Sequence, residues 1–150
     1  MRLHRPYGYD NACGIIALAI ITGWKQETIR KKVLAARRRF PLDEKGQRCK
    51  KSVMERSTDY VYQNEFLRVL QGKGINTRFY ELPRKREVCQ LPKKLRKGTY
   101  LLMIPMHALV VQNGRIWDNT GTDQSLEYYY WRHDQILLYA KLPNFQNSSN

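Results

Sequence analysis

Apolar and small residues fill nearly every position of the stretch CGIIALAIIT, residues 13–22, with Ile16, Ala17, Ile20 and Ile21 recurring at helical spacing. This predicts a first helix over 13–22 that is buried all round, stopped by Gly23. A second helix is predicted over 26–38, where Ile29, Val33, Leu34 and Ala36 form one apolar side and basic residues the other. Residues 41–57 have no sustained period and read as a loop. Thr58 or Asp59 can cap a third helix running to about Leu70, with Tyr62, Phe66, Leu67 and Leu70 inward and Gly72 or Gly74 ending it.

Beyond Gly74 the pattern changes to strands: 77–82, 99–104, 108–111, 115–118 and 135–140. Helices first and strands second predict an α+β protein, N-terminal helices packed on a C-terminal antiparallel β-sheet, rather than a doubly wound α/β fold. There is no internal repeat. One domain over residues 1–143 is expected, with 144–150, polar and rich in Asn and Ser, as a flexible tail.

One hairpin can be read in register. In HALVVQNGRIWDNTG, Asn113-Gly114 lies between two apolar runs, the strongest local signal for a two-residue type I′ turn. Counting outward sets Gln112 opposite Arg115, Val111 opposite Ile116, Leu109 opposite Asp118 and His107 opposite Thr120. Alternation then places His107, Leu109, Val111, Ile116 and Asp118 on one face, and Asn119 on the other. His107 and Asp118 become diagonal neighbours at roughly 7–8 Å between backbones, a gap two such side chains can close. A carboxylate accepting from one ring nitrogen orients the imidazole, leaves the other nitrogen free as a base and stabilises the imidazolium. Cys13, at the start of the first predicted helix, supplies a nucleophile: a helix N-terminus and an imidazolium both favour thiolate over thiol. Gly14 is expected to leave room for a substrate chain beside the sulfur.

Charge and cysteine content narrow the classes. Lys plus Arg number 27 against 13 Asp plus Glu, a formal charge of +14, with basic clusters at 30–32, 37–39, 50–51, 84–86 and 93–97. Such clusters attract nucleic acid or an acidic protein nonspecifically, or simply keep the surface solvated; no RNA-binding or zinc-finger signature supports base-specific readout. The three cysteines, Cys13, Cys49 and Cys89, have no paired short spacing, which argues against a disulfide framework and a zinc ribbon; Cys49 and Cys89 read as ordinary reduced thiols. No apolar run is long enough to span a bilayer, and residues 1–11 lack signal-peptide order, so an intracellular protein without membrane association is expected.

Other histidines carry less. His133 and Asp134 are neighbours in sequence and point apart on a strand, and His4 falls in a terminus expected to be mobile. A zinc site from His4, Cys13, His107 and His133 has no ligand pair at metal-site spacing; neither a metal nor a cofactor is expected. Aromatic residues Tyr128 to Trp131 suit either base stacking or packing at the domain edge, with packing favoured.

The chain resembles the papain-like cysteine peptidases, in which a cysteine on an N-terminal helix precedes a histidine and an Asn or Asp on adjoining strands. It more closely resembles small phage-encoded papain-like proteins related to the peptidases that remove double-glycine leaders from bacteriocins. The features that carry the likeness are the Cys-led ALAI helix followed by TG, the FLRVL helix, the Leu-Pro turn, the GTYLL strand and the HALVVQNGRIWDNTG hairpin, together spanning residues 9–123. The resemblance implies a papain-like fold, Cys13 as nucleophile, His107 as general base and acid, Asp118 orienting it, and the backbone N–H of Cys13 as part of an oxyanion site. It implies hydrolysis of a protein or peptide substrate through a thioester, in the host cytoplasm or in the virion. Where such enzymes place a glutamine as oxyanion donor, six residues before the cysteine, this chain has Tyr7; Asn11, or else Tyr7 or Tyr9, is the substitute donor, and weak activity is expected. Two other functions fit: an inactive papain-like scaffold that binds nucleic acid or a host protein, and a Cys-His-Asp acyltransferase or deamidase.

Overall fold

The computed structural model describes residues 2–5, 12–39 and 60–143. The predicted 41–57 loop, the Thr58 and Asp59 caps, the tail at 144–150, Cys49 and the oxyanion candidates Asn11, Tyr7 and Tyr9 lie outside the described residues.

Three helices precede six strands among the described residues, as the change of period predicts. Helix α1, Cys13–Thr22, is buried from Gly14 to Thr22, and it ends where Gly23 turns left-handed (φ 74°) and returns its N–H to Ala19 O at 2.9 Å. Helix α2, Gln26–Arg39, buries Ile29, Val33 and Ala36. Helix α3, Gln63–Gly72, starts later than expected. Its N-cap is Tyr62, whose N–H is bonded by the Glu65 carboxylate (2.9 Å), and it buries Glu65, Phe66, Val69 and Leu70 while Tyr62 and Leu67 stay half-buried.

One basic residue departs from the expected wet face. Arg37 is 3% exposed and grips Glu65 with two bonds, Nε to Oε2 (2.7 Å) and Nη2 to Oε1 (3.1 Å), while Nη2 also reaches Tyr60 O (3.0 Å). The 37–39 cluster is therefore partly a structural tie between α2 and α3.

The strands are β1 (Phe79–Tyr80), β2 (Thr99–Ile104), β3 (His107–Gln112), β4 (Arg115–Asp118), β5 (Gly121–Ser125) and β6 (Leu138–Leu142). They form one antiparallel sheet in the order β1-β6-β2-β3-β4-β5. Two expectations are corrected. The 77–82 strand shrinks to two residues at the sheet edge, followed by Pro83, and the 135–140 strand moves to 138–142 because Gln135 pairs outside the sheet with Glu87. Strand β5 was not predicted: GTDQS is polar throughout and joins β4 across an irregular register, so no alternation marks it.

The sheet separates two apolar clusters. On one side α1, α2 and α3 pack with Leu101, Ala108, Val110, Ala140 and Leu142; on the other, Leu102, Leu109, Val111 and Ile116 pack with Val88, Leu91, Leu95, Tyr129 and Ile136. Short 3₁₀ turns at Val88–Gln90 and Lys93–Leu95 belong to this second layer. Among the described residues no helix is long and apolar enough to cross a membrane.

Candidate active site

The predicted hairpin forms. Val111 pairs with Ile116 and Gln112 with Arg115, and Asn113 (φ 50°) and Gly114 (φ 77°) both take the left-handed conformation that a type I′ turn demands. Register therefore carries His107 and Asp118 to the same face, where His107 Nε2 lies 2.8 Å from Asp118 Oδ2. His107 bonds Asp118 and Tyr129, not Asn119.

Asp118 is 1% exposed and surrounded by donors. Its Oδ2 takes the His107 N–H and the Tyr129 hydroxyl; its Oδ1 takes the Thr120 backbone N–H (2.8 Å), the Thr120 hydroxyl and Gln124 Nε2 (3.0 Å). Burial disfavours the carboxylate, yet bonds from His107, Thr120 and Tyr129 outweigh it and bring its pKa down to about 2. For His107 burial disfavours the cation, and the bonds from Asp118 and Cys13 outweigh it, lifting the ring to about 9. Burial and the adjacent carboxylate push the Tyr129 phenol well above its ordinary value, so it stays a proton donor to Asp118.

Cys13 is the first residue of α1 and is half-buried. Burial opposes its ionisation, but the hydrogen bond and charge of His107 and the backbone N–H groups of Ala108 and Gly14 leave the thiol below its ordinary value. The helix has no side-chain cap at Ala12 and no acidic residue in its first turn, so its positive end faces the sulfur without competition from a carboxylate. Asp118 holds Nε2, which leaves Nδ1 of the same ring open. Cys13 and His107 line the same cleft, so thiol, imidazole and carboxylate belong to one site.

The β2–β3 connection bounds the site. Pro105-Met106 is a two-residue turn between the paired residues Ile104 and His107, and Met106 adopts a left-handed φ of 58° with its side chain 84% exposed. Its carbonyl oxygen lies 3.9 Å from Cys13 Sγ. A cleft of about 130 Å³ opens beside the thiol, with Val61, Phe66, Met103, Met106 and Leu138 among its apolar walls. A larger groove, about 990 Å³, runs between α3 and the β1–β6 edge and shares no lining residue with this cleft.

Several sequence readings are revised. A Cβ on Gly14 would lie 2.9 Å from Val61 Cβ and 3.1 Å from Phe66 Cζ, so its bare backbone is needed for the packing of Val61 and Phe66, while Gly14 also lines the cleft beside the thiol. His4 is anchored, its N–H on Ile20 O at 2.8 Å and its ring against Gly23. His133 faces Glu87 at 3.5 Å, and the quartet His4, Cys13, His107 and His133 does not assemble among the described residues.

Tyr129 and Trp131 were missed as site residues. Tyr129 is 1% exposed and bonds both His107 and Asp118, while the Trp131 ring lies 4.3 Å from the His107 ring, centroid to centroid, at 36°. Tyr128 and Tyr130 are 84% and 78% exposed. The alternation in-out over 128–131 was the available signal. An aromatic face at this distance stabilises an imidazolium and keeps water from the His107–Asp118 bond.

Compared with protein-family models, curated proteins and solved structures, the chain has no significant match.

Proposed function

We propose that the protein is a papain-like thiol hydrolase of peptide bonds, of the type encoded by phages. The observation that carries this reading is that Cys13, at a helix N-terminus, shares one cleft with His107, whose ring Asp118 holds, with the thiol's pKa lowered and the ring's raised. Both directions favour the thiolate–imidazolium pair, which is the resting state a thiol hydrolase needs.

The thiolate attacks the amide carbonyl carbon, and the carbonyl electron pair moves to oxygen, held by the backbone N–H of Cys13. His107 passes its proton to the departing amine and the C–N bond breaks, leaving a thioester on Cys13. Neutral His107 then takes a proton from water, which attacks the thioester; the acid leaves and the thiol pair is restored. Asp118 keeps the ring oriented throughout. Met106, Leu137 and Tyr60, exposed apolar residues at the cleft, favour a substrate with an apolar side chain next to the cleaved bond.

Iodoacetamide at mildly acidic pH tests the reading. Cys13 is expected to be labelled before Cys49 and Cys89, and His107→Ala to abolish the preference. A peptide substrate should be cleaved by the wild type and not by Cys13→Ala. Equal labelling of all three thiols would overturn the assignment.

A further inference from the structure

Glu87, Cys89 and His133 meet outside the proposed active site. The backbone holds them in place: Val88 N–H bonds Asp134 O (3.0 Å), Cys89 N–H bonds Arg132 O (2.8 Å), and Glu87 pairs with Gln135 in an antiparallel bridge. Val88, between the two ligating residues, is fully buried and anchors the segment in the second apolar cluster. Cys89 Sγ lies 3.8 Å from Glu87 Oε2 and 4.0 Å from His133 Nδ1, and Glu87 Oε1 lies 3.5 Å from the same Nδ1.

These separations are long for charge-assisted hydrogen bonds, which run at roughly 2.7–2.9 Å. The arrangement also differs in kind from that at His107. There the carboxylate takes Nε2 and leaves the other nitrogen open; here thiol and carboxylate both face Nδ1, so no proton relay can pass through the imidazole. Three donor atoms instead converge around one point, all within 4.8 Å of one another, the one such group among the described residues. A tetrahedral zinc with its usual bond lengths holds S, N and O ligand atoms about 3.4–3.6 Å apart. The 3.8 and 3.5 Å contacts use different oxygens of Glu87, so with a single carboxylate oxygen the set closes by up to about 1 Å, through rotation of the exposed His133 and Glu87 side chains.

We propose that Glu87, Cys89 and His133 form a divalent metal site, with Zn²⁺ the best fit. Thiolate and imidazole select zinc over magnesium or calcium, and the carboxylate completes three protein ligands. The His133 and Glu87 side chains are 69% and 40% exposed, so the fourth position opens to solvent and takes water. Binding releases the Cys89 proton to solvent. The ion ties residues 87–89 to the segment that also carries Tyr129 and Trp131, bracing the residues that hold His107.

Titration of the full-length reduced protein with Co²⁺ tests this. One equivalent is expected to bind with thiolate-to-cobalt charge-transfer absorption, to be displaced by Zn²⁺, and to persist in Cys13→Ser, which separates it from the hydrolase reading. Cys89→Ser and His133→Ala, both with unchanged far-UV circular dichroism, are expected to lose the absorption. No charge-transfer band in the wild type overturns the proposal, as does a band that survives Cys89→Ser or disappears in Cys13→Ser.

Discussion

Replacing Asp118 by asparagine exchanges one atom and removes one charge, and the surroundings of the carboxylate say what each costs. Every neighbour donates: His107 Nε2 and the Tyr129 hydroxyl to Oδ2, the Thr120 backbone N–H, the Thr120 hydroxyl and Gln124 Nε2 to Oδ1. An amide nitrogen on the Oδ1 side meets the Thr120 N–H, which cannot turn away. On the Oδ2 side it meets the His107 N–H. The neutral His107 ring escapes that donor–donor contact only by moving its proton from Nε2 to Nδ1, the wrong tautomer for a base, and with the lost charge-assisted bond the expected cost is about 1–3 kcal/mol of folding stability.

The chemical effect is larger. Without the carboxylate, burial is opposed by Cys13 alone, so the ring drops from about 9 toward or below its ordinary 6.5. At about 1.4 kcal/mol per pH unit, the full interval corresponds to about 3 kcal/mol of preference for the protonated ring, and the Asp118 bond is the largest of the causes that raise it. The thiol loses its imidazolium partner and rises. Alkylation of Cys13 followed against pH by mass spectrometry reads both. The wild type is expected to react on the acid side of the ordinary thiol range, with a second inflection near 9 as the ring deprotonates; Asp118→Asn moves the first inflection up and the second down. A folded variant with the wild-type profile would refute the argument. The stability of the wild type follows with a definite sign. The depressed Asp118 pKa contributes about 2 kcal/mol that is fully present above about 3.8 and lost as pH falls through about 2. The raised His107 pKa contributes below 6.5, and that contribution is lost as pH rises through about 9. Both describe the same bond and are not summed.

Glu65→Ala removes the carboxylate that balances the buried Arg37 charge and is expected to cost about 3–5 kcal/mol in urea unfolding, whereas replacing both residues by apolar ones of similar volume recovers most of it. Gly14→Ala drives a methyl into Val61, with an expected loss of about 1–3 kcal/mol by the same assay; an unchanged midpoint would show that α1 and Val61 separate freely. Met106 packs little, so its left-handed φ can be tested cleanly: Met106→Val is expected to be about 1–2 kcal/mol less stable than Met106→Gly, and equal stabilities would mean that the turn relaxes.

Legibility of the sequence followed the strength of local pattern. Helix α1 came out with its exact bounds because an unbroken apolar run ends at a glycine, and β2 and β4 likewise because β-rich runs are bounded by turns. The His107–Asp118 pairing was readable because a two-residue turn fixes register by counting. Strand β5 was invisible because its pairing partners, not its own residues, make it a strand. The buried Arg37–Glu65 tie was hidden because a basic cluster looks solvated unless its partner, 28 residues away, is known to return. Trp131 and the Glu87, Cys89, His133 group depend on where the 126–137 segment crosses the second layer, and neither residue spacing nor periodicity encodes that crossing.

The proposed reactive pair joins two separately packed halves of the molecule. Cys13 belongs to α1, buried among the helices on one face of the sheet, whereas His107 and Asp118 point to the other face, where Tyr129 and Trp131 hold the ring. Thiol and imidazole line one cleft at the end of the sheet, where the Pro105-Met106 turn delivers His107, rather than facing each other through its middle. The sulfur's position is then set by the rigidity of α1, whose flanks are packed throughout, and the ring's by a loop-rich layer with fewer constraints. Loosening the second layer should therefore move the imidazole while leaving the thiol in place, so reactivity is more fragile than the fold. That asymmetry explains why so many donors converge on Asp118: the carboxylate is the point at which the less regular layer is fastened to the hairpin that carries the base.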